Sequence, residues 1–142
     1  MSEQAIRVIL ASHGSFAVEA LNTLTMIAGD QPGLMALELQ TGDALDDFHS
    51  KYDEIILADP DSSFLILTDI AGGTPSNAAT QLLFTYQNLQ VFSGFNLPLL
   101  LDLVTNEWQS LEEVATHITA SWPLYLSNIN TKMTRKDEHY EY

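Results

Sequence analysis

The chain contains no cysteine, which excludes disulfide frameworks, cysteine-based zinc sites, iron–sulfur clusters and thiol catalysis together. It is almost as short of positive charge. Five lysines and arginines stand against 19 aspartates and glutamates in 142 residues, a formal net charge of −14. Lys132, Arg135 and Lys136 lie near the C-terminus, where Asp137, Glu138 and Glu141 offset them, so residues 1–131 carry the whole excess. That surface lacks the basic footprint a nucleic-acid backbone or an anionic membrane requires, and it steers the chain toward basic partners. Long hydrophobic runs are missing too. Residues 8–11 are too few for a signal-peptide core, and residues 97–101 are too few for a bilayer span and contain Pro98. A soluble cytoplasmic protein, with no nucleic-acid partner and no membrane insertion, is expected. GxxxxGK[ST], GxGxxG after the first strand and GxSxG are all absent. Nucleoside-triphosphate loops, dinucleotide folds and serine hydrolases lose their fingerprints with them.

What is present suffices for one domain. The hydrophobic fraction is 46%, enough for an ordinary core without metal or disulfide staples. Residues 6–11 (IRVILA) and 64–68 (FLILT) are short and almost continuously apolar, as strands buried on both faces should be. Residues 34–39 and 89–92 read as further strands. Apolar residues at helical spacing predict helices over 16–28, from Asp43 to the Asp59-Pro60 break, over 74–86, over 99–105 and over 111–121. Residues 123–126 (PLYL) read as a last strand. Strand–helix alternation with short turns predicts an α/β fold, doubly wound around a mainly parallel sheet with helices on both faces. Residues 1–130 are expected to form the domain and residues 131–142 a polar tail that frays.

In such sheets ligands bind beyond the carboxyl ends of the strands, near the point where strand order reverses. Three loops leave such ends: 12–15, 69–77 and 93–98. In the second, Thr74 suits a helix cap and Pro75 the first helical position. Gly72 and Gly73 let a ligand approach the backbone amides. With Thr74 they form a nest of N–H donors at the positive end of a helix, a seat for a single phosphoryl group. The same residues also make a tight strand-to-helix turn with no ligand at all. His13, between Ser12 and Gly14, carries the nucleophilic option. If one ring nitrogen donates to a carboxylate, the other keeps its lone pair, and Asp69 is the natural acceptor. A structural loop histidine is the plainer alternative. His49, His117 and His139 read as solvated surface residues with no metal-binding spacing, and no cofactor is expected.

At these residues the chain resembles a known family. VILASHG (8–14), TDIAGGTPSNAA (68–79) and SGFNLPL (93–99) are similar, in this order, to the opening loop, the TDxxGG[ST]PxNAA segment and the SGxNLPM loop of the mannose/fructose/sorbose-type enzyme IIA domains. These belong to the bacterial phosphoenolpyruvate-dependent sugar phosphotransferase system. The resemblance covers about residues 6–121. Phe95, Leu99 and the extended tail depart from the pattern without touching the chemistry. It implies that His13 takes a phosphoryl group on Nε2 from the phosphocarrier protein HPr and passes it to a IIB component. Asp69 would then hold Nδ1, and Gly73 and Thr74 the phosphoryl oxygens. Ser12, Gly14, Asn96, Leu97 and Pro98 would border the pocket. It further implies a homodimer exchanging a C-terminal strand, assigned to residues 123–126. The transported sugar is chosen mainly by IIB and the membrane components.

Two other phosphorylated folds compete. A response-regulator-like receiver would use Asp69 as phosphoacceptor with magnesium, but it needs acidic residues after the first strand and a lysine after the last. The dihydroxyacetone-kinase phosphotransfer subunit is also histidine-based, and GGTPSN favours the sugar-transport branch over it. A non-catalytic acidic scaffold predicts that His13→Ala changes nothing.

Overall fold

The computed structural model describes residues 5–133. Four strands, β1 (Ile6–His13), β2 (Leu34–Leu39), β3 (Ser63–Thr68) and β4 (Leu89–Ser93), form one sheet in the order β2-β1-β3-β4. Every neighbouring pair is parallel. All residues of β3 are buried, as an unbroken apolar segment in the middle of a two-faced sheet must be. Strand side chains alternate between faces, and this divides the core. Val8, Leu10, Leu65 and Leu67 pack with α1 (Phe16–Ala28), α4 (Leu97–Val104) and α5 (Leu111–Ser121). Ile9, Ala11, Phe64 and Ile66 pack with α2 (Leu45–Ala58) and α3 (Thr74–Leu82). This is the expected doubly wound α/β fold, with helices on both faces. From β1 the chain first goes outward to β2, then returns to β3 on the other side. The reversal falls between β1 and β3, and in sheets of this kind ligands bind beyond the strand ends at such a point. No helix among the described residues is long and apolar enough to cross a membrane.

Local chemistry moves several boundaries. β1 continues through His13, which pairs with Leu39. α2 starts two residues after Asp43, whose carboxylate instead accepts from Gln40 N. α3 stops at Leu82, where tight turns take over. α4 starts at Leu97 because Asn96 Oδ1 accepts from Leu99 N and caps it.

The main difference is at the C-terminus. Residues expected to form a fifth strand make a 3₁₀ turn, Trp122–Tyr125. Trp122 N–H still donates to Ile118 O, and Pro123 fits an early helical position while offering no N–H to a sheet. The turn is also anchored away from any strand partner. Asn96 Nδ2 donates to Tyr125 O at 3.0 Å, and Tyr125 Oη donates to Asp102 Oδ2 at 2.6 Å. The same Oδ2 lies 2.6 Å from His117 Nε2, and the His117 ring packs on Trp108 with centroids 4.9 Å apart. His117, expected on the solvated surface, therefore joins α4, α5 and the C-terminal turn. Residues 129–133 are helical, and the expected tail lies, from residue 134 on, outside the described residues, as does His139.

Burial draws the Asp102 carboxyl upward, but hydrogen bonds from Tyr125, His117 and Asn106 outweigh it and hold the group below the usual carboxylate range. Asp102→Ala should cost about 1–2 kcal/mol, read as a lower urea midpoint at unchanged slope. With the folded value depressed, this contribution is present at neutral pH and lost as pH falls through that value. The difference between variant and wild type should shrink in the same window.

Candidate active site

β1 and β3 are in register, with Ala11 opposite Thr68, so the residues just past each end meet. Asp69 N donates to Ala11 O at 3.1 Å. Asp69 Oδ2 then accepts twice from His13, from the backbone N–H at 2.9 Å and from ring Nδ1 at 2.8 Å. Oδ1 accepts from Ile70 N at 2.9 Å. An ionised carboxylate only accepts, so Nδ1 carries the hydrogen and Nε2 keeps the lone pair. Burial works to raise the Asp69 carboxyl, but the bonds from His13 N, the His13 ring and Ile70 N hold it below the ordinary range. The ring is accessible and the acid is not: side-chain exposures are 50% for His13 and 13% for Asp69.

Nε2 faces the start of α3. A Cβ built on Gly73 would stand 2.5 Å from Cε1 and 3.1 Å from Nε2 of His13, so only a glycine lets the backbone come this close. Gly72, at φ +84°, has the left-handed geometry that turns the chain into the helix. Gly73 is the N-cap, and Thr74 and Pro75 are the first helical residues. Thr74 is thus not the cap, and no side chain caps this end. The leading amides of α3 have no intrahelical acceptor, and the helix start that carries them comes close to the His13 ring at Gly73, at the positive end of the helix dipole. A nucleophile opposite amide donors can place and stabilise a tetrahedral oxyanion. Among the described residues no group of three or more His, Asp or Glu is arranged to hold a metal ion.

The other expected pocket residues divide. Gly14, at φ +55°, turns the chain from β1 into α1. Ser12 is fully buried and its Oγ accepts from Ala17 N at 2.7 Å, so its hydroxyl ties the loop to α1 from beneath. Asn96 commits both ends of its amide, to Leu99 N and Tyr125 O. With Leu97 it borders a shallow groove beside Phe16, whose ring stacks on Phe95 at 5.3 Å. Pro98 is exposed in the first turn of α4. The structure therefore gathers His13, Asp69 and Gly73 tightly, while among the described residues no hydrogen bond joins Asn96 to them and its amide is spent on α4 and the C-terminal turn. It also adds residues absent from the sequence reading of the site. Ser93 Oγ lies 2.6 Å from Thr68 Oγ1 and 2.9 Å from Ser76 Oγ, linking β3, β4 and α3. Tyr52 Oη reaches Pro75 O at 2.9 Å. Only the period-3.6 core pattern of α2 marked Tyr52 in the sequence.

Residues 7–119 match a family model named EIIA-man and described as PTS system fructose IIA component. The PTS system fructose-specific EIIA component of Bacillus subtilis (strain 168) is 31% identical over 117 residues, 81% of this chain and 80% of that protein. The PTS system sorbose-specific EIIA component of Klebsiella pneumoniae is 28% identical over 116 residues, 81% of this chain and 85% of that protein. Among solved structures, the mannose/sorbose specific IIA subunit of the phosphotransferase system from Enterococcus faecalis superposes with a TM-score of 0.81 at 27% identity, over 88% of this chain and 95% of that one.

The glycine contact is directly testable. Gly73 has φ −85° and ψ 171°, angles alanine adopts freely, so Gly73→Ala should act through the ring collision alone. Overpacking of this kind costs about 1–3 kcal/mol unless the imidazole moves aside. The expected outcome is displacement of His13 from Asp69, seen as changed ¹⁵N shifts of both ring nitrogens with little loss of thermal stability.

Proposed function

The chain belongs to the EIIA-man family of sugar phosphotransferase system IIA components, and from that premise we propose that His13 is the phosphoryl acceptor of a phosphocarrier domain spanning residues 1–130. Phospho-HPr is the donor and a IIB component the recipient, in the cytoplasm. The observation that carries this reading is the His13–Asp69 pair with Nε2 set against Gly73. In the step, the Nε2 lone pair attacks phosphorus while the bond between phosphorus and the donor breaks, and its electron pair returns to the donor. Nδ1–H remains on Asp69, whose negative charge stabilises the cationic phosphorylated ring. The amides at Gly73 and Thr74 receive the equatorial oxygens, the positioning that phosphoryl transfer asks of a protein. Onward transfer to IIB reverses the same motions. Asp69 as phosphoacceptor is disfavoured, because Oδ2 already takes both His13 bonds and Oδ1 takes Ile70 N.

The rim suits a protein donor. Phe16 and Ile70, 52% and 57% exposed, follow His13 and Asp69 closely in sequence and offer apolar contact on an otherwise acidic molecule. The relatives' names span fructose, sorbose and mannose/sorbose, so the sugar is not assigned to this chain.

The family resemblance further implies a homodimer. It is supported by the position of β4 at the sheet edge and by exposed Trp122, Leu124, Leu126 and Ile129 in the segment beyond α5. A cavity of about 390 Å³ lies between these elements, lined by Phe92, Leu99, Ile118 and Trp122 among others. The segment would leave its 3₁₀ turn and pair with the partner's β4.

Incubation with phosphoenolpyruvate, enzyme I and HPr should label the native chain with an acid-labile, base-stable phosphoryl group. His13→Ala should abolish labelling, and Asp69→Ala should slow it at least tenfold; undiminished incorporation into His13→Ala defeats the assignment. For the dimer, sedimentation at tens of micromolar should give twice the chain mass, and Leu126→Glu should shift it toward monomer. A native chain that sediments as monomer would remove the strand exchange.

A further inference from the structure

The amide nest is useful only at one height relative to the imidazole. Gly73 lies so close to the His13 ring that a Cβ would overlap it, and transfer rates depend steeply on placement at this scale. The first turn of a helix has few ladder bonds of its own, so its position is set from outside. Asn77 Nδ2 holds the loop locally, through Gly72 O at 3.2 Å. Ser76 ties the turn to the sheet through Ser93. On the opposite side, from the layer formed by α2, the tie is the Tyr52 hydroxyl on Pro75 O at 2.9 Å.

Tyr52 is fully buried, and its ring meets Phe48 edge to face at 5.1 Å. Phenylalanine would serve that packing. A hydroxyl is costly to bury without an acceptor, and here the acceptor is the carbonyl of the second residue of α3. Burial first, and then the negative charge of Asp69, push the phenol's ionisation upward. The hydroxyl therefore stays a donor throughout the working pH range and exchanges no proton with the dyad.

We propose that Tyr52 is a positioning residue for phosphoryl transfer: its hydrogen bond to Pro75 fixes the amides of Gly73 and Thr74 at the level of His13 Nε2. This deepens the phosphocarrier reading and rests on it. The hydroxyl bonds to Pro75 and not to the reacting atoms, so its effect is exerted through α3. The docking face is untouched by it.

Tyr52→Phe tests this with one atom removed and the ring retained. Single-turnover labelling by phospho-HPr at saturating donor should slow about fivefold, the scale of one neutral hydrogen bond. The KM for the donor should stay unchanged, and the rate–pH profile should run parallel to that of the wild type. In the unphosphorylated protein the ¹H–¹⁵N signals of Gly73 and Thr74 should move, with Phe48 packing and thermal unfolding nearly preserved. A wild-type rate with unmoved Gly73 and Thr74 amides overturns the proposal, and so does a loss confined to KM or one that vanishes when rates are normalised to folded protein. His13→Ala, assayed alongside, keeps the two ideas apart. Labelling of that variant overturns the phosphocarrier reading itself, whereas His13-dependent labelling with an unslowed Tyr52→Phe removes Tyr52 alone.

Discussion

Asp69 Oδ2 accepts from both the backbone N–H and the ring Nδ1 of His13, at 2.9 and 2.8 Å. One oxygen thereby fixes the height of the loop leaving β1 and the rotation of its side chain. It also decides which ring nitrogen keeps its lone pair, since the hydrogen it holds on Nδ1 leaves Nε2 free. A largely buried carboxylate is not stable in this role by itself. Desolvation works against its charge, and only the converging donors reverse that balance. Protonation or removal of the acid would release the loop, the rotamer and the tautomer together.

That interaction is in turn a consequence of the sheet. With β1 and β3 adjacent and in register, residues immediately beyond their ends have little choice but to face each other. The strands are rigid because both faces are covered, by α1, α4 and α5 on one side and by α2 and α3 on the other. The third component, the N-terminus of α3, is tied to the sheet through Ser76, Ser93 and Thr68 and to α2 through Tyr52. Acid, imidazole and amides thus sit on regular elements or within a few residues of them, where side-chain placement is less free than on a long loop.

What the sequence made legible follows from the range of each signal. β1 and β3 announce themselves by unbroken apolar runs, and α1 and α5 by period-3.6 patterns, all local. His13, Asp69, Gly72 and Gly73 were visible because strand ends, glycines and a helix start confine chemistry to a few positions. Contacts that join distant segments left no such trace. Asn96 to Tyr125, Tyr125 and His117 to Asp102, and Tyr52 to Pro75 are each separated by fifteen or more residues. Within the single chain, 123–126 is not the strand expected of it, for a related reason. Four mostly apolar residues carry no period, and what decides their conformation is Pro123 together with the two anchors on Tyr125.

The proposed phosphoryl seat belongs to a chain of net charge −14 with no lysine or arginine between Lys51 and Lys132, which raises the question of what would stand in for a cation there. Amides at a helix start answer it with partial charges, which orient an anion without the full Coulomb attraction of an ammonium or guanidinium. For the proposed phosphorylated intermediate, which must be surrendered, that weakness would be functional. A fixed cation would stabilise the phosphorylated state and free phosphate alike, and binding that is uniform across states does not speed transfer. The net negative charge of the molecule would push in the same direction by disfavouring a retained anion. A basic surface brought by the partner would relieve that repulsion only while it is docked, so the conditions that stabilise the migrating group exist when both donor and acceptor are in place.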